Sequence, residues 1–248
     1  MSDNKKMKLT VIGCSPAWPN PGGAQSGYLV QGDSGRVLLD CGAGVLAKLR
    51  EHEDWPRVDA ICLTHFHLDH WGDIVPWVWA LWFGPASELP RPELWVPPDG
   101  RQLLCEIGGR LGTPDMFEQA FDVREYEDGK EFETAGIRIT PRRVLHYELL
   151  AFGFRASQNG KTLAYSGDSG PSDQLVELAR DADLFLCEAT LKESREGPDG
   201  LRGHLSAEEA LSAFEESGAR RLVIIHRPDE LPLPDGIERA ADGDVYEL

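Results

Sequence analysis

Cysteine is scarce in this sequence, and its spacing argues against the usual thiol sites. Only five cysteines occur in 248 residues. None of them forms a Cys-x-x-Cys pair, which argues against a zinc finger or a thioredoxin-like redox centre. Three lie in apolar, strand-like segments, so we expect buried free thiols rather than disulfides. Cys41 lies just past a strand end, so the sequence does not decide between a free thiol and a disulfide there.

Positive charge is also scarce. Lys and Arg total 25 against 42 Asp and Glu, which gives a net charge of −17. Such a surface repels polyphosphates, and no basic run provides a local patch, so we expect no long nucleic acid as a partner. A small anionic substrate is compatible with this charge, because bound divalent metal ions offset part of it where substrate meets protein.

Long hydrophobic runs are missing. No apolar stretch reaches the ~20 residues that cross a bilayer, and the start MSDNKKMKLT leads into a strand pattern rather than a signal-peptide core. We therefore expect no membrane contact and a cytoplasmic location. Repeats and long linkers are missing too, so residues 1 to 248 are predicted to form one domain.

Short apolar runs between glycine- and proline-rich turns predict β structure with intervening helices. Strands are predicted at Lys8 to Gly13, Gly27 to Gln31, Arg36 to Asp40, Val58 to Thr64, Glu93 to Val96, Gly136 to Val144, Leu149 to Ala156, Lys161 to Tyr165, Asp183 to Cys187 and Arg221 to Ile225. Helices are predicted at Ala43 to Glu51, Trp71 to Phe83, Arg101 to Leu111, Ser172 to Ala179 and Ala207 to Glu216. The predicted fold is therefore α/β (α+β): an αββα sandwich of two mixed β-sheets flanked by helices.

A histidine cluster follows the fourth predicted strand. Three of the seven histidines lie there with one aspartate, at His65, His67, Asp69 and His70. His65 and His67 are two positions apart, so their rings can share one metal ion, while the other two side chains can reach a second ion across the turn. Imidazole with carboxylate suits Zn²⁺, with Mn²⁺ or Fe²⁺ as alternatives, rather than a closed thiolate site.

Three more polar residues directly follow apolar runs: His146, Asp168 and His226. This placement is expected when strands deliver metal ligands to one edge of a sandwich. Taken singly, each has an ordinary explanation as a loop histidine, a helix cap or a solvated strand end. Taken together with the cluster, they favour a metal site.

The run from His65 to His70 resembles the HxHxDH signature of the metallo-β-lactamase superfamily, and the resemblance covers nearly the whole chain. It implies two divalent metal ions, one on His65, His67 and His146, the other on Asp69, His70 and His226, with Asp168 bridging them. It also places Asp69 among the catalytic residues. The segment Leu38 to Gly42 resembles the family's LLDxG run, which implies that Asp40 braces the metal loop without binding metal.

Two such ions can share a hydroxide, since each lowers the pKa of bound water towards ~7. The superfamily hydrolyses several ester classes, so the fold does not name the substrate. Gly203 to Ser206 resembles the histidine motif of the ribonuclease Z branch, which implies that His204 contacts the scissile phosphate and protonates the leaving oxygen. A helix-start histidine with no role is the alternative.

The segment Gly13 to Val30 is similar to the start of small bacterial phosphodiesterases related to ribonuclease Z, some of which cleave cyclic nucleotides. This implies a substrate contact at Ser15, although Pro16 and Ala17 replace a Gly-Ser pair of that pattern. Trp18, in the loop after the first strand, is predicted to wall the pocket.

Ribonuclease Z carries a tRNA-gripping arm between its third motif and its bridging aspartate. Here His146 and Asp168 are only 22 positions apart, and two predicted strands with a turn at Asn159-Gly160 fill that stretch. We therefore predict a dinuclear hydrolase of small, cyclic nucleotide-like phosphodiesters. The alternatives are a ribonuclease Z-like endoribonuclease, a thioester or lactone hydrolase, and an iron redox module, although flavodiiron proteins carry Glu where this chain has His67.

The stretch after the cluster is rich in tryptophan, with four of the chain's seven at Trp71, Trp77, Trp79 and Trp82. Such a stripe predicts core packing or a dimer interface, so a homodimer is one expectation; a pocket wall that stacks on a base is the alternative. Pro76 is expected to kink this helix or to mark its start.

Overall fold

The structure is a computed structural model that describes residues 7–51, 57–84, 86–197 and 200–248. The strands in these ranges are β1 (Lys8–Gly13), β2 (Gly27–Gln31), β3 (Arg36–Leu39), β4 (Ala60–Cys62), β5 (Glu93–Val96), β6 (Asp122–Glu125), β7 (Phe132–Thr134), β8 (Ile137–His146), β9 (Leu149–Gln158), β10 (Lys161–Tyr165), β11 (Leu184–Glu188), β12 (Leu222–Ile225) and β13 (Val245–Glu247). The helices are α1 (Val45–Leu49), α2 (Leu68–Trp71), α3 (Ile74–Phe83), α4 (Gly100–Arg110), α5 (Met116–Ala120), α6 (Asp173–Ala179) and α7 (Ala207–Ser217).

Two mixed sheets form the centre of the fold, as predicted. The first has the strand order β13-β1-β2-β3-β4-β5-β6, and the second has the order β12-β11-β10-β9-β8-β7. Strands β1 to β3 form an antiparallel meander, and β3 to β6 run parallel. In the second sheet β8, β9 and β10 are antiparallel, whereas β10, β11 and β12 are parallel.

Successive side chains along a strand point to opposite faces of a sheet. Each sheet therefore has one apolar face towards the other sheet and one apolar face towards the helices. On β3, Val37 and Leu39 face the core between the two sheets, where Phe152 and Phe154 of β9 meet them. Leu38, between them, faces outward into a cluster covered by α1, α3, α4 and α5. The other sheet is covered in the same way by α6 and α7. The αββα sandwich is therefore confirmed.

The tight hairpin between β9 and β10 takes up most of the stretch between His146 and Asp168. Its turn residues Asn159 and Gly160 both have positive φ, at 52° and 77°, which is the two-residue type I′ geometry that joins twisted antiparallel strands. The predicted turn is therefore present, and no arm is inserted here.

The tryptophan-rich segment differs from the prediction. It forms two helices, α2 and α3, separated by Gly72 and Asp73. Pro76 lies in the first turn of α3, where its missing N–H costs no helical hydrogen bond, so it marks the start of a helix rather than a kink. Trp71 and Trp77 are buried in the core, whereas Trp79 is 46% exposed.

The structure also shows the state of the cysteines and the two ends of α7. Four cysteines, including Cys41, are buried free thiols, and Cys105 on α4 is exposed. The start of α7 has the capping box of Ser206 and Glu209, and Gly218 ends the helix with a φ of 69°. Within the described ranges, no helix combines the length and the apolar character needed to span a membrane.

Candidate metal centre

The seven candidate metal ligands converge at one edge of the sandwich, where several strands end. Their potential ligand atoms form two groups, each with all atoms within 4.8 Å of one another. One group contains His65, His67, His146 and Asp168, and the other contains Asp69, His70, Asp168 and His226. Asp168 belongs to both groups, so the grouping coincides with the one expected from the motif.

The backbone explains how distant segments deliver these side chains. His67 is extended and caps α2, which turns Asp69 and His70 back towards it. His146 is the last residue of β8. His226 follows β12 in a left-handed conformation with a φ of 51°, which directs the chain away from the strand and its ring into the site.

Asp40 is buried behind the metal loop and accepts four hydrogen bonds. Its Oδ1 accepts from the Thr64 N–H at 2.7 Å. Its Oδ2 accepts from the Thr64 hydroxyl at 2.8 Å, the Tyr165 hydroxyl at 2.6 Å and His70 Nδ1 at 2.7 Å. A proton held on Nδ1 by this carboxylate leaves His70 Nε2 as the free lone pair. Both oxygens of Asp40 are therefore occupied by protein donors, which favours the expected bracing role over metal binding.

Three of the other candidate histidines are oriented by similar contacts from behind. His146 Nδ1 donates to the Gly203 carbonyl at 2.7 Å, and His226 Nδ1 lies 2.7 Å from the Thr190 hydroxyl. His65 Nδ1 lies 3.0 Å from the Thr64 hydroxyl. One nitrogen of each ring is therefore engaged by protein, and the other faces the centre.

The protonation of the cluster suits a cation at His65 and Asp168 but not at His70. Burial holds the pKa of His65 well below its usual value, so the ring is neutral. Burial alone would raise the pKa of Asp168, but the charges of His226 and His70 hold it well below the usual range. Neutral imidazole and ionised carboxylate are the forms that bind metal. Burial alone would lower the pKa of His70, but the charges of Asp168 and Asp40 raise that pKa well above its usual value, so this ring would have to release a proton to bind a cation.

Unpaired polar atoms provide the test of whether a metal ion fits. Among the described residues, His65 Nε2, His70 Nε2 and Asp168 Oδ1 are buried without a hydrogen-bond partner. Leaving such groups unsatisfied costs about 1 to 3 kcal/mol each. All three point into the same space, and His67 Nδ1 lies only 3.0 Å from His146 Nε2 there. A divalent cation bound in this space would satisfy these atoms, so the residues fit the expected group.

His204 lies beside this cluster and is held by a glutamate that the sequence reasoning missed. The buried Glu188 accepts from His204 Nδ1 at 2.8 Å, from the Ser169 N–H at 3.0 Å and from the Thr190 N–H at 3.0 Å. Burial alone would lower the pKa of His204, but the charge and hydrogen bond of Glu188, together with the charge of Asp168, outweigh burial and raise that pKa to about 9. His204 Nδ1 is 4.0 Å from Asp168 Oδ2.

A signal for Glu188 was present in the sequence. It is a carboxylate that closes the apolar run Leu184–Glu188, the same pattern of a polar residue after a strand that singled out His146 and Asp168. Its role became visible only when the fold placed it against His204.

The two predicted substrate contacts lie in different surroundings. Trp18 is 54% exposed and lines a cavity of ≈ 410 Å³ together with His204. Ser15 is only 1% exposed, and its hydroxyl lies against Gly23, where an added Cβ would come within 2.5 Å. Ser15 is not among the residues that line the cavity, so its substrate contact stays a prediction.

We expect Asp40→Asn to weaken metal binding about 10- to 100-fold, the usual effect of losing a partner behind a metal ligand. The amide NH₂ cannot accept the hydrogen bonds from His70 and Tyr165. Titration of the metal-free protein against a competing chelator measures the change. Asp122→Asn is the matched control, since Asp122 is a partly exposed carboxylate on β6 that pairs with Arg124 and belongs to neither group of candidate ligands, and it should bind metal like the wild type. Unchanged metal affinity in Asp40→Asn would contradict the bracing role.

Similar proteins share both the sequence pattern and this architecture. A family model for the beta-lactamase superfamily domain matches residues 35–227. The protein ML1173 of Mycobacterium leprae is 36% identical over 247 residues, which is 97% of this chain and 85% of that protein. Ribonuclease Z of Myxococcus xanthus is 28% identical over 89% of this chain and 86% of its own length.

The probable metallo-hydrolase YhfI of Bacillus subtilis is similar in both sequence and structure. It is 30% identical over 222 residues, covering 90% of this chain and 87% of that protein. The crystal structure of this metallo-beta-lactamase fold protein matches with a TM-score of 0.81 and 25% identity, over 98% of this chain and all of the other.

Proposed function

Because the chain belongs to the β-lactamase superfamily and is a metallo-hydrolase of that family, we propose that it hydrolyses small, cyclic nucleotide-like phosphodiesters at a dinuclear centre. The ions would most simply be Zn²⁺, with Mn²⁺ or Fe²⁺ as alternatives. Seven side chains would hold them: His65, His67 and His146 on one ion, Asp69, His70 and His226 on the other, and Asp168 on both. When bound, two divalent ions supply Lewis acidity and a hydroxide nucleophile at neutral pH.

The pair of His204 and Glu188 is the observation that favours a phosphodiester over a thioester as the substrate. A sugar alkoxide is a poor leaving group, so its departure from phosphorus needs a proton, whereas a thiolate leaves readily without one. Glu188 holds His204 through Nδ1 at 2.8 Å, which leaves Nε2 as the atom that can donate a proton to the leaving oxygen. The ring is 5.0 Å from that of His146, close enough for the leaving oxygen to lie between His204 and the centre.

The preference for a small substrate rests on shape and charge. The stretch between His146 and Asp168 contains only β9, β10 and their two-residue turn. A net charge of −17 opposes the long phosphate backbone of an RNA. The similarity to a ribonuclease Z is the specific reason to keep an endoribonuclease as the second candidate.

The direct test is to incubate the metal-loaded protein with cAMP, cGMP and bis(p-nitrophenyl) phosphate, with a 3′-extended tRNA and a thioester in parallel. We expect turnover of at least one small phosphodiester, loss of that turnover in EDTA, and its return when divalent metal is added. Absence of turnover for all three phosphodiesters refutes the proposal. Cleavage of the tRNA alone would establish the second candidate instead.

A further inference from the structure

Tyr147, next to His146, has an unusual backbone conformation. Its φ is 51°, in the left-handed region, where a bulky aromatic residue is a genuine outlier. Such conformations persist only where the surroundings enforce them, and they concentrate at functional sites. Here the Tyr147 N–H donates to the Arg202 carbonyl at 2.9 Å, and the neighbouring His146 Nδ1 donates to the Gly203 carbonyl. These two hydrogen bonds join the end of β8 to the segment that carries His204.

The Tyr147 ring occupies a slot built from two glycines. A Cβ added at Gly203 would lie 2.3 Å from the ring, and one added at Gly197 would lie 2.6 Å from it. Neither glycine has a φ in the left-handed region, so the backbone there does not require glycine. The absence of two side chains instead makes room for the ring.

From this slot the ring reaches the space beside His204. Tyr147 and His204 both line two cavities, of ≈ 360 Å³ and ≈ 410 Å³. The two rings lie edge to face with centroids 5.7 Å apart. The larger cavity also contains Trp18 and the cations Lys192 and Arg195. An aromatic wall therefore continues from the proposed site of leaving-group protonation into a cavity of ligand size.

We propose that Tyr147 is a specificity-determining residue whose ring stacks on the base of a nucleotide substrate. The inference rests on the proposed function and deepens it, since the substrate class becomes nucleotides rather than small phosphodiesters in general. Every base has a π face, so stacking selects for the presence of a base more than for its identity. A ring already held in its slot loses little freedom when the ligand arrives.

The test compares a ligand that has a base with one that lacks it. Isothermal titration calorimetry of the metal-loaded protein with AMP and with ribose 5-phosphate measures the contribution of the base independently of turnover. We expect AMP to bind about 5- to 150-fold more tightly, the range that stacking on one aromatic side chain provides. Tyr147→Leu, which fills the slot without a π face, should abolish the preference, and Tyr147→Phe should keep it.

Phe83→Ala is the matched control, because Phe83 is an aromatic residue that is 80% exposed and lies outside the lining of both cavities. It should keep the wild-type preference. Equal binding of both ligands by the wild type, or an unchanged preference in Tyr147→Leu, overturns the inference, and the wild-type comparison requires no variant to fold. A Tyr147-dependent preference without turnover of any phosphodiester supports the inference and refutes the proposed reaction.

Discussion

Replacing Asp168 by Ala is expected to reduce phosphodiester hydrolysis by at least ~10³-fold and to lower the bound metal from two ions per chain. Its Oδ1 lies 3.1 Å from His70 Nε2 and its Oδ2 lies 3.8 Å from His65 Nε2, so one carboxylate faces both groups of ligands. In the proposed dinuclear centre, its loss would remove the negative charge that the two ions would share. Metal ions contribute several kcal/mol to the stabilisation of the transition state, which corresponds to about 10³-fold in rate.

The measurement combines kcat/KM with metal content by inductively coupled plasma mass spectrometry. Asp235→Ala serves as the control, because Asp235 is an exposed carboxylate that belongs to neither group of candidate ligands. It should retain both metal and activity. Full metal content and wild-type turnover in Asp168→Ala would refute the bridging position.

Replacing His204 by Ala is expected to reduce kcat for a cyclic nucleotide by about 10² to 10⁴-fold, the usual contribution of a positioned general acid. Metal should stay bound, because the seven candidate ligands remain. The loss should be much smaller with bis(p-nitrophenyl) phosphate, since p-nitrophenolate leaves as a stable anion and needs no proton. The comparison of the two substrates isolates proton donation from a general disturbance of the site.

Glu188→Gln provides a second measure of the same step. The amide keeps the shape but loses the charge that favours a protonated His204, so we expect a smaller loss with the same dependence on the leaving group. Equal losses on both substrates in His204→Ala would instead mean that His204 positions substrate. No loss on either would exclude it from the reaction.

The architecture was predictable because most strands are central and buried, so their apolar runs are clear in the sequence. The strands that were missed, β6, β7 and β13, are three or four residues long and lie at sheet edges. An edge strand is half exposed, and a run this short shows too little alternation to be recognised. The break between α2 and α3 was missed for a related reason, since the apolar pattern continues across Gly72 and Asp73.

The candidate ligands were predictable because strand ends and the spacing within one loop are local properties of the chain. His65, His67 and His70 lie in a single loop, His146 and His226 directly follow apolar residues, and Asp168 comes three positions after the end of β10. Asp40 followed from its motif, although its bond to Tyr165, 125 positions away, did not.

The sequence by itself determined the kind of fold and the chemical types of the residues at one edge of the sandwich. Hydrophobic periodicity and the spacing of candidate ligands are local properties of the sequence, so both can be recognised without a structure. The tertiary structure decided which residues meet. Glu188 holds His204, and Gly197 and Gly203 form the slot for Tyr147. These contacts depend on how β8, β11 and the segment before α7 pack together, and sheet packing brings together residues whose separation along the chain carries no signal.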